Sequence, residues 1–316
     1  MTGLLSSPDR PDLSELSDAD WAAALPQLVE PGGQFLALDD THCAMMFGNG
    51  PGLLMSFESA KDIQRDQEDG IPFGLKYAER AGATVIVVLS LEDTWFRSEA
   101  VFDFFDGLTD EDVFEDFDHV TFFGAGPGGY AAAAYSVSAP GADVLLISPQ
   151  ATLSSTYAEW DPRFYSARRI GFDGRYGYAP EMIEAARNTL VLYNPENEFD
   201  AMHAALFARH GAERFRCRYL GRNLATALED MNVLDTCLTQ ALAGDLSAAG
   251  FARAYRARRD HPPYLRALLR EVSDQDRSLM MEWVCRNTLA RRPMPIMRKT
   301  LQRLQERRED AQQVAE

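Results

Sequence analysis

A chain of 316 residues that is 46% hydrophobic can bury one large core or two modest ones, and its composition excludes a disordered protein. A formal net charge of −17 excludes nucleic acid as the main partner, because a phosphate backbone calls for a basic face. No apolar run approaches the roughly 20 residues of a membrane helix. The opening MTGLLSSPDRPDLSELSDAD is polar and acidic where a signal peptide is basic and then apolar, so a cytoplasmic protein with no membrane partner is expected.

The first helix is expected near residues 18–28. Strand-length apolar runs follow: QFLALD from Gln34, CAMMF from Cys43, LLMSF from Leu53, TVIVVL from Thr84, HVTFF from His119, DVLLI from Asp143, TLVLY from Thr189 and RFRCRYL from Arg214. The first three are spaced like an antiparallel meander, with Asp-Asp-Thr-His and Gly-Asn-Gly-Pro-Gly as its turns. One helix-like segment, 73–81, precedes the Thr84 strand, and others at 98–108, 129–138, 180–188 and 200–210 alternate with the strands that follow. Such alternation predicts βαβ units and a parallel sheet covered on both faces, which explains the almost continuously apolar TVIVVL and DVLLI. The predicted fold class is α/β, a three-layer sandwich around a mixed, mostly parallel eight-stranded sheet.

Beyond residue 246 the strand signal stops and the chain reads as helical, interrupted at His261-Pro262-Pro263 and at Pro293 and Pro295. The predicted division is a polar N-terminal segment (1–30), an α/β domain (31–245) and a helical C-terminal extension (246–316). Residues 251–316 carry 15 Lys/Arg against 9 Asp/Glu, a balance of +6, whereas residues 1–250 carry 16 against 39, a balance of −23. Leu265, Leu268, Leu269 and Val272 form one apolar stripe, and Leu279, Met280, Trp283 and Val284 another. Both need cover, from the body's own core or from a protein partner, and a homo-oligomer built through the basic tail is one such arrangement.

The segment Gly124-Ala125-Gly126-Pro127-Gly128-Gly129 satisfies G-x-G-x-x-G between a strand and a helix, as a dinucleotide-binding unit requires. GAGPGGYAA also resembles the opening of flavin-dependent disulfide oxidoreductases, which implies bound FAD or NAD. Against this, DVLLI ends in Ser148-Pro149-Gln150 with no acidic residue for the ribose hydroxyls, and four strands precede the unit. No cofactor is predicted, with FAD or NAD the alternative. A phosphoadenosine phosphosulfate reductase-type reading fails for want of a serine- and glycine-rich pyrophosphate loop and of a reactive C-terminal cysteine in MEWVCRN.

A nucleophile elbow, G-x-S-x-G, joins a strand to a helix by the same kind of bend. The stretch around Gly126 to Ala132 resembles the G-x-S-M-G-G-Y-A-A elbow of a subgroup of α/β hydrolases, and ADVLLISPQATL resembles the strand that follows it there. LLMSFE, the Pro-Phe-Gly at Pro72, TVIVVLS and Thr94-Trp95-Phe96 upstream, and Asp200, His203 and YLGRN downstream, continue the resemblance over roughly residues 35–242. It implies an α/β-hydrolase-like fold. Carried across position by position, the nucleophile serine falls on Gly126, the base histidine on Arg222, and the acid on Asp200 or Glu198. Glycine has no side chain and arginine stays protonated, so a serine hydrolase on this pattern is expected to be dead.

What remains is backbone. A helix starting near Pro127 points unpaired N–H groups at the top of the sheet, so Gly124, Gly126, Pro127, Gly128, Gly129, Tyr130, Trp95 and Arg222 are the candidate ligand-binding residues. The expected ligand is a small anion or carbonyl compound with Arg222 as countercharge; alternatively the glycines serve only a tight crossing. A third reading recruits Ser148 or Ser154 as an unexpected nucleophile. Tyr157, Trp160, Asp161, Arg163, Arg168 and Arg169 fill a long stretch where related hydrolases place lid and substrate contacts.

Metal chemistry is not predicted. His42, His119, His203, His210 and His261 include no H-x-x-x-H pair, and Cys43, Cys217, Cys237 and Cys285 no C-x-x-C, so reduced, buried thiols are expected. Residues 103–118 carry eight carboxylates and no basic residue, without the register of a calcium loop. A solvated face is expected there, with docking onto the basic tail as the alternative.

Overall fold

The computed structural model describes residues 12–30 and 32–315. Its eight strands are β1 (Gln34–Ala37), β2 (His42–Phe47), β3 (Gly52–Ser59), β4 (Thr84–Ser90), β5 (His119–Ala125), β6 (Asp143–Ile147), β7 (Asn188–Tyr193) and β8 (Glu213–Arg216). The helices of the body are α1 (Asp18–Val29), α2 (Ala60–Asp66), α3 (Phe73–Ala81), α4 (Glu99–Asp110), α5 (Pro127–Tyr135), α6 (Ser155–Ala158), α7 (Ala179–Met182), α8 (Glu198–Ala208), α9 (Leu224–Asp230), α10 (Val233–Leu242) and α11 (Ala248–Ala254). The tail adds α12 (Pro262–Asp274), α13 (Ser278–Leu289) and α14 (Pro295–Ala315). None of the helices in the described residues is long and apolar enough to cross a membrane.

The strands form one sheet in the order β1-β2-β4-β3-β5-β6-β7-β8. The β1–β2 and β2–β4 pairs are antiparallel and all the others parallel. Side chains alternate between faces, as a period of two requires. Leu53, Met55, Phe57, Phe122, Val144 and Leu146 meet α4, α5, α7 and α8 on one face. Leu54, Phe123, Leu145 and Ile147 meet α1, α3, α9, α10 and α11 on the other. The three-layer mixed sheet expected from the sequence is therefore present.

The meander is not. β4 lies between β2 and β3, so β2 pairs with β4 and β3 runs parallel to both β4 and β5. The Gly-Asn-Gly-Pro-Gly run is a close passage and not a hairpin turn. A Cβ on Gly48 would stand 2.1 Å from the Ala83 carbonyl oxygen, and one on Gly50 2.2 Å from that of Gly82, at the entry to β4.

The tail stripes cover each other. Leu265, Leu269, Val272, Cys285, Met294 and Met297 form a small core of their own within α12, α13 and α14, while Leu279 and Trp283 stay exposed. The tail's ion pairs, Arg286 and Arg308 with Glu282 and Arg291 with Asp260, lie within or beside it. Among the described residues no ion pair joins it to the acidic band at 103–118, where Asp106 pairs with Arg175. All four cysteines are buried and free, and burial pushes the thiols of Cys43 and Cys237 up to about 12 and that of Cys285 to about 11.

The β5–α5 crossing is the tightest backbone approach near the middle of the sheet. A Cβ on Gly124 would lie 2.2 Å from the Gly128 carbonyl oxygen, and one on Gly128 2.3 Å from that of Phe57 in β3. Gly126 has open space on its Cβ side but a φ of 53°. Gly128→Ala is accordingly expected to cost about 3 kcal/mol or more, because two backbones must separate. Gly126→Ala should cost only about 1–2 kcal/mol of dihedral strain. Urea midpoints at unchanged slope would measure both.

Candidate functional site

A cleft of about 660 Å³ opens over the carboxyl ends of β3, β5 and β6. It lies where the chain's progress along the sheet reverses direction, since β3 leads to β4 on one side and β5 starts out on the other. Its apolar floor is built by Phe57, Ile63, Phe73, Phe123, Ile147 and Leu234. Gly126, Pro127 and Gly128 form one wall, and Asp200 and Arg222 come in from the segments after β7 and β8.

The wall is a sharp elbow. β5 ends at Ala125, Gly126 turns with φ 53° and ψ −122°, and α5 begins at Pro127 with no side chain capping it. The Gly126 N–H donates to the Ile147 carbonyl at 2.9 Å, and the Gly126 carbonyl accepts from the Tyr130 N–H at 3.0 Å. These two bonds fix the position whose side chain would project into the cleft. An elbow after the fifth strand of a sheet in this order, with only its second strand running against the rest, decides the architecture. This is the α/β-hydrolase fold.

No family model matches the sequence, and no curated protein matches it. Among solved structures, a carboxyl esterase from the mycorrhizal fungus Tuber melanosporum is 14% identical over 71% of this chain and 85% of its own, with a TM-score of 0.41. An esterase of Pyrobaculum calidifontis is 14% identical over 74% of this chain and 92% of its own, at a TM-score of 0.43. A sugar hydrolase from Lactococcus lactis is 13% identical over 67% and 98%, at 0.45. Scores below 0.5 add no weight to what the sheet order and elbow already establish.

Gly126, Asp200 and Arg222, on which the resemblance places the triad, all line this cleft. Among the described residues no histidine lines it. Asp200, in the first turn of α8, accepts from Arg163 Nη1 at 2.7 Å. Pro127 is the first residue of α5. The N–H after the nucleophile is one donor of the oxyanion hole in this elbow, and proline has none. That consequence was readable in the sequence from the order Gly126-Pro127 alone.

The other sequence candidates separate cleanly. Gly124 and Gly129 pack the crossing beneath the cleft, and Tyr130 and Trp95 are buried on the far face of the sheet. The Tyr130 hydroxyl donates to the Tyr176 carbonyl and accepts from Arg97, and burial pushes its pKa up to about 12 despite that cation. Trp95 packs edge-on against Tyr130, Phe164 and Phe172. Ser154 caps α6, donates to Asp173 at 2.5 Å and does not line the cleft. Glu198 does not reach the cleft lining.

The long segment after β6 is strapped down by its arginines. Arg163 holds Asp161 as well as Asp200, and Arg168 donates to the carbonyls of Ala158, Glu159 and Asp161. His203 is wholly buried under Trp160. Its Nδ1 accepts from the Ala151 N–H at 3.1 Å, so Nε2 carries the proton and donates to Asp161 at 3.1 Å. Burial lowers the pKa of His203, only partly offset by Asp161. Burial alone would raise Asp161, but hydrogen bonds from His203 and Arg163 outweigh it and hold that carboxylate well below the usual range.

Residues the sequence did not single out complete the lining. Arg65 is shared by Asp62 and Asp66, and Asn223 donates to Asp66. Glu58, at the end of β3, accepts from Ser56 and from the N–H groups of Phe73 and Gly74, which caps α3. Burial raises its pKa against those donors, and burial also raises that of Glu229, which accepts from Gln67.

His203 and Asp161 both make the fold acid-sensitive. Below about pH 6.5 the unfolded chain takes up a proton at His203 that the folded chain resists, and below about pH 4 the Asp161 contribution is lost as well. Their share of the melting temperature should therefore fall as pH drops from 7 to 4, opposed by Glu58 and Glu229, whose raised carboxyls take up protons more readily in the folded chain. In His203→Gln the part of the slope between about pH 7 and 5 should shrink without vanishing, because burial lowers His261 in the same direction.

Proposed function

We propose that this protein is a pseudoenzyme of the α/β-hydrolase fold, which binds a small organic ligand in the cleft over the elbow and does not hydrolyse it. The observation that carries this reading is the pair Gly126-Pro127. At the one backbone position held for a nucleophile there is no side chain, and at the next there is no N–H for an oxyanion. Arg222 at the base position supports it further, since a guanidinium accepts no proton near neutral pH.

Binding draws on what the elbow keeps. The cleft is large enough for a small molecule, has an apolar floor, and is ringed by a few oriented polar groups. The uncapped start of α5 brings a partial positive charge to its wall, and Arg222 a full one. Ser148 lines the cleft with a hydroxyl that makes no hydrogen bond among the described residues, but no histidine stands there to activate it.

The purified protein should resist a fluorophosphonate probe and hydrolyse p-nitrophenyl acetate no faster than its Gly126→Ala variant. Saturable labelling mapped by mass spectrometry to Ser148 would replace the pseudoenzyme with an unconventional serine enzyme.

A further inference from the structure

The polar groups of the cleft can be sorted by whether the protein already uses them. Its carboxylates are all engaged: Glu58 by Ser56 and two backbone N–H groups, Asp62 and Asp66 by Arg65, Asp200 by Arg163, and Glu229 by Gln67. Two of its three guanidiniums are spent in those same pairs. Arg222 is exposed at the cleft and has no hydrogen bond or ion pair among the described residues.

A second group is left over at the opposite level of burial. Gln150 is 3% exposed and lines the cleft. Its Nε2 donates to the Ser148 carbonyl at 3.1 Å, which fixes the amide's orientation, and its Oε1 is buried with no partner. Native proteins rarely leave such an acceptor unmet, because it has lost its water without gaining a donor. Ser148, on which the amide is anchored, itself sits at a φ of 46°, a strained conformation for a residue with a side chain.

We propose that the cleft takes a monoanionic organic acid that also carries an O–H or N–H donor, the carboxylate facing Arg222 and the start of α5, the donor facing Gln150 Oε1. This rests on the reading that the cleft binds a ligand and adds its chemical class. One unspent guanidinium matches one negative charge. A dianion would bring surplus negative charge beside five engaged carboxylates in a chain of net charge −17. The ligand's remaining surface is apolar, set against Phe57, Phe73 and Phe123.

The three isomers of (hydroxymethyl)benzoate and their methyl ethers present a carboxylate, a ring and a donor at three separations, with and without the donor hydrogen. Titrated into the full chain by calorimetry or ligand-observed NMR, at least one isomer is expected to bind about tenfold or more tightly than its own ether. Gln150→Met should abolish that preference while keeping the ether's affinity, and Arg222→Gln should weaken both about tenfold, with circular dichroism confirming the fold. Should a variant fail to fold, the alcohol-to-ether ratio on the unaltered protein decides. Equal affinity for every alcohol and ether means that water meets Gln150, which overturns the inference and leaves ligand binding standing. No binding by any of the six also overturns it. The pseudoenzyme reading is judged separately, by the fluorophosphonate experiment.

Discussion

The contact between the backbones of β3, β5 and the first turn of α5 organises the rest of the molecule. With Gly124 under the Gly128 carbonyl and Gly128 under that of Phe57, the helix lies too close to the sheet for any Cβ to intervene. That closeness sets the elbow at Gly126, aims the start of α5 over the strand ends, and fixes the floor and one wall of the cleft. Close packing by itself accounts for Gly124, Gly128 and Gly129. Gly126 is different in kind: nothing crowds it, and only its dihedral angles favour glycine.

Electrostatics around the elbow follow a similar economy. In a hydrolase an acid orients a histidine; here Asp200 is taken by Arg163, which also holds Asp161, and Asp161 holds a neutral, buried His203. The chain of contacts ties the long segment after β6 to α8. The Asp200 carboxylate anchors the segment after β6, and the desolvated pairs are kept because each member would be costly alone.

Much of this was legible from residues alone, for reasons that differ by element. All eight strands stood out because their apolar runs are buried on both faces or bounded by turn residues. Their order did not. The glycines at 48 and 50 looked like hairpin punctuation, yet they serve a close passage to Gly82 and Ala83, a long-range contact that no local pattern encodes. At the site, Gly126, Asp200 and Arg222 could be placed by their position in a motif order and do share one cleft. Trp95 and Tyr130 could not be assigned a face, because an apolar run between two covered surfaces does not say which one an aromatic ring enters. Gln150 was invisible for the opposite reason: its distinction is a missing partner, which only three dimensions reveal.

The tail's separate small core gives the molecule two levels of cohesion. Leu265, Leu269, Val272, Cys285, Met294 and Met297 hold α12, α13 and α14 to one another, while the cleft is built entirely from the larger body. Segments with few apolar contacts of their own open at lower free energy than the main core, in units that follow such boundaries. The Cys285 thiol, locked inside the lesser core beside Met297, would then become reachable to a bulky alkylating reagent well before Cys43, Cys217 or Cys237, turning four chemically similar residues into a built-in record of which half of the protein has opened.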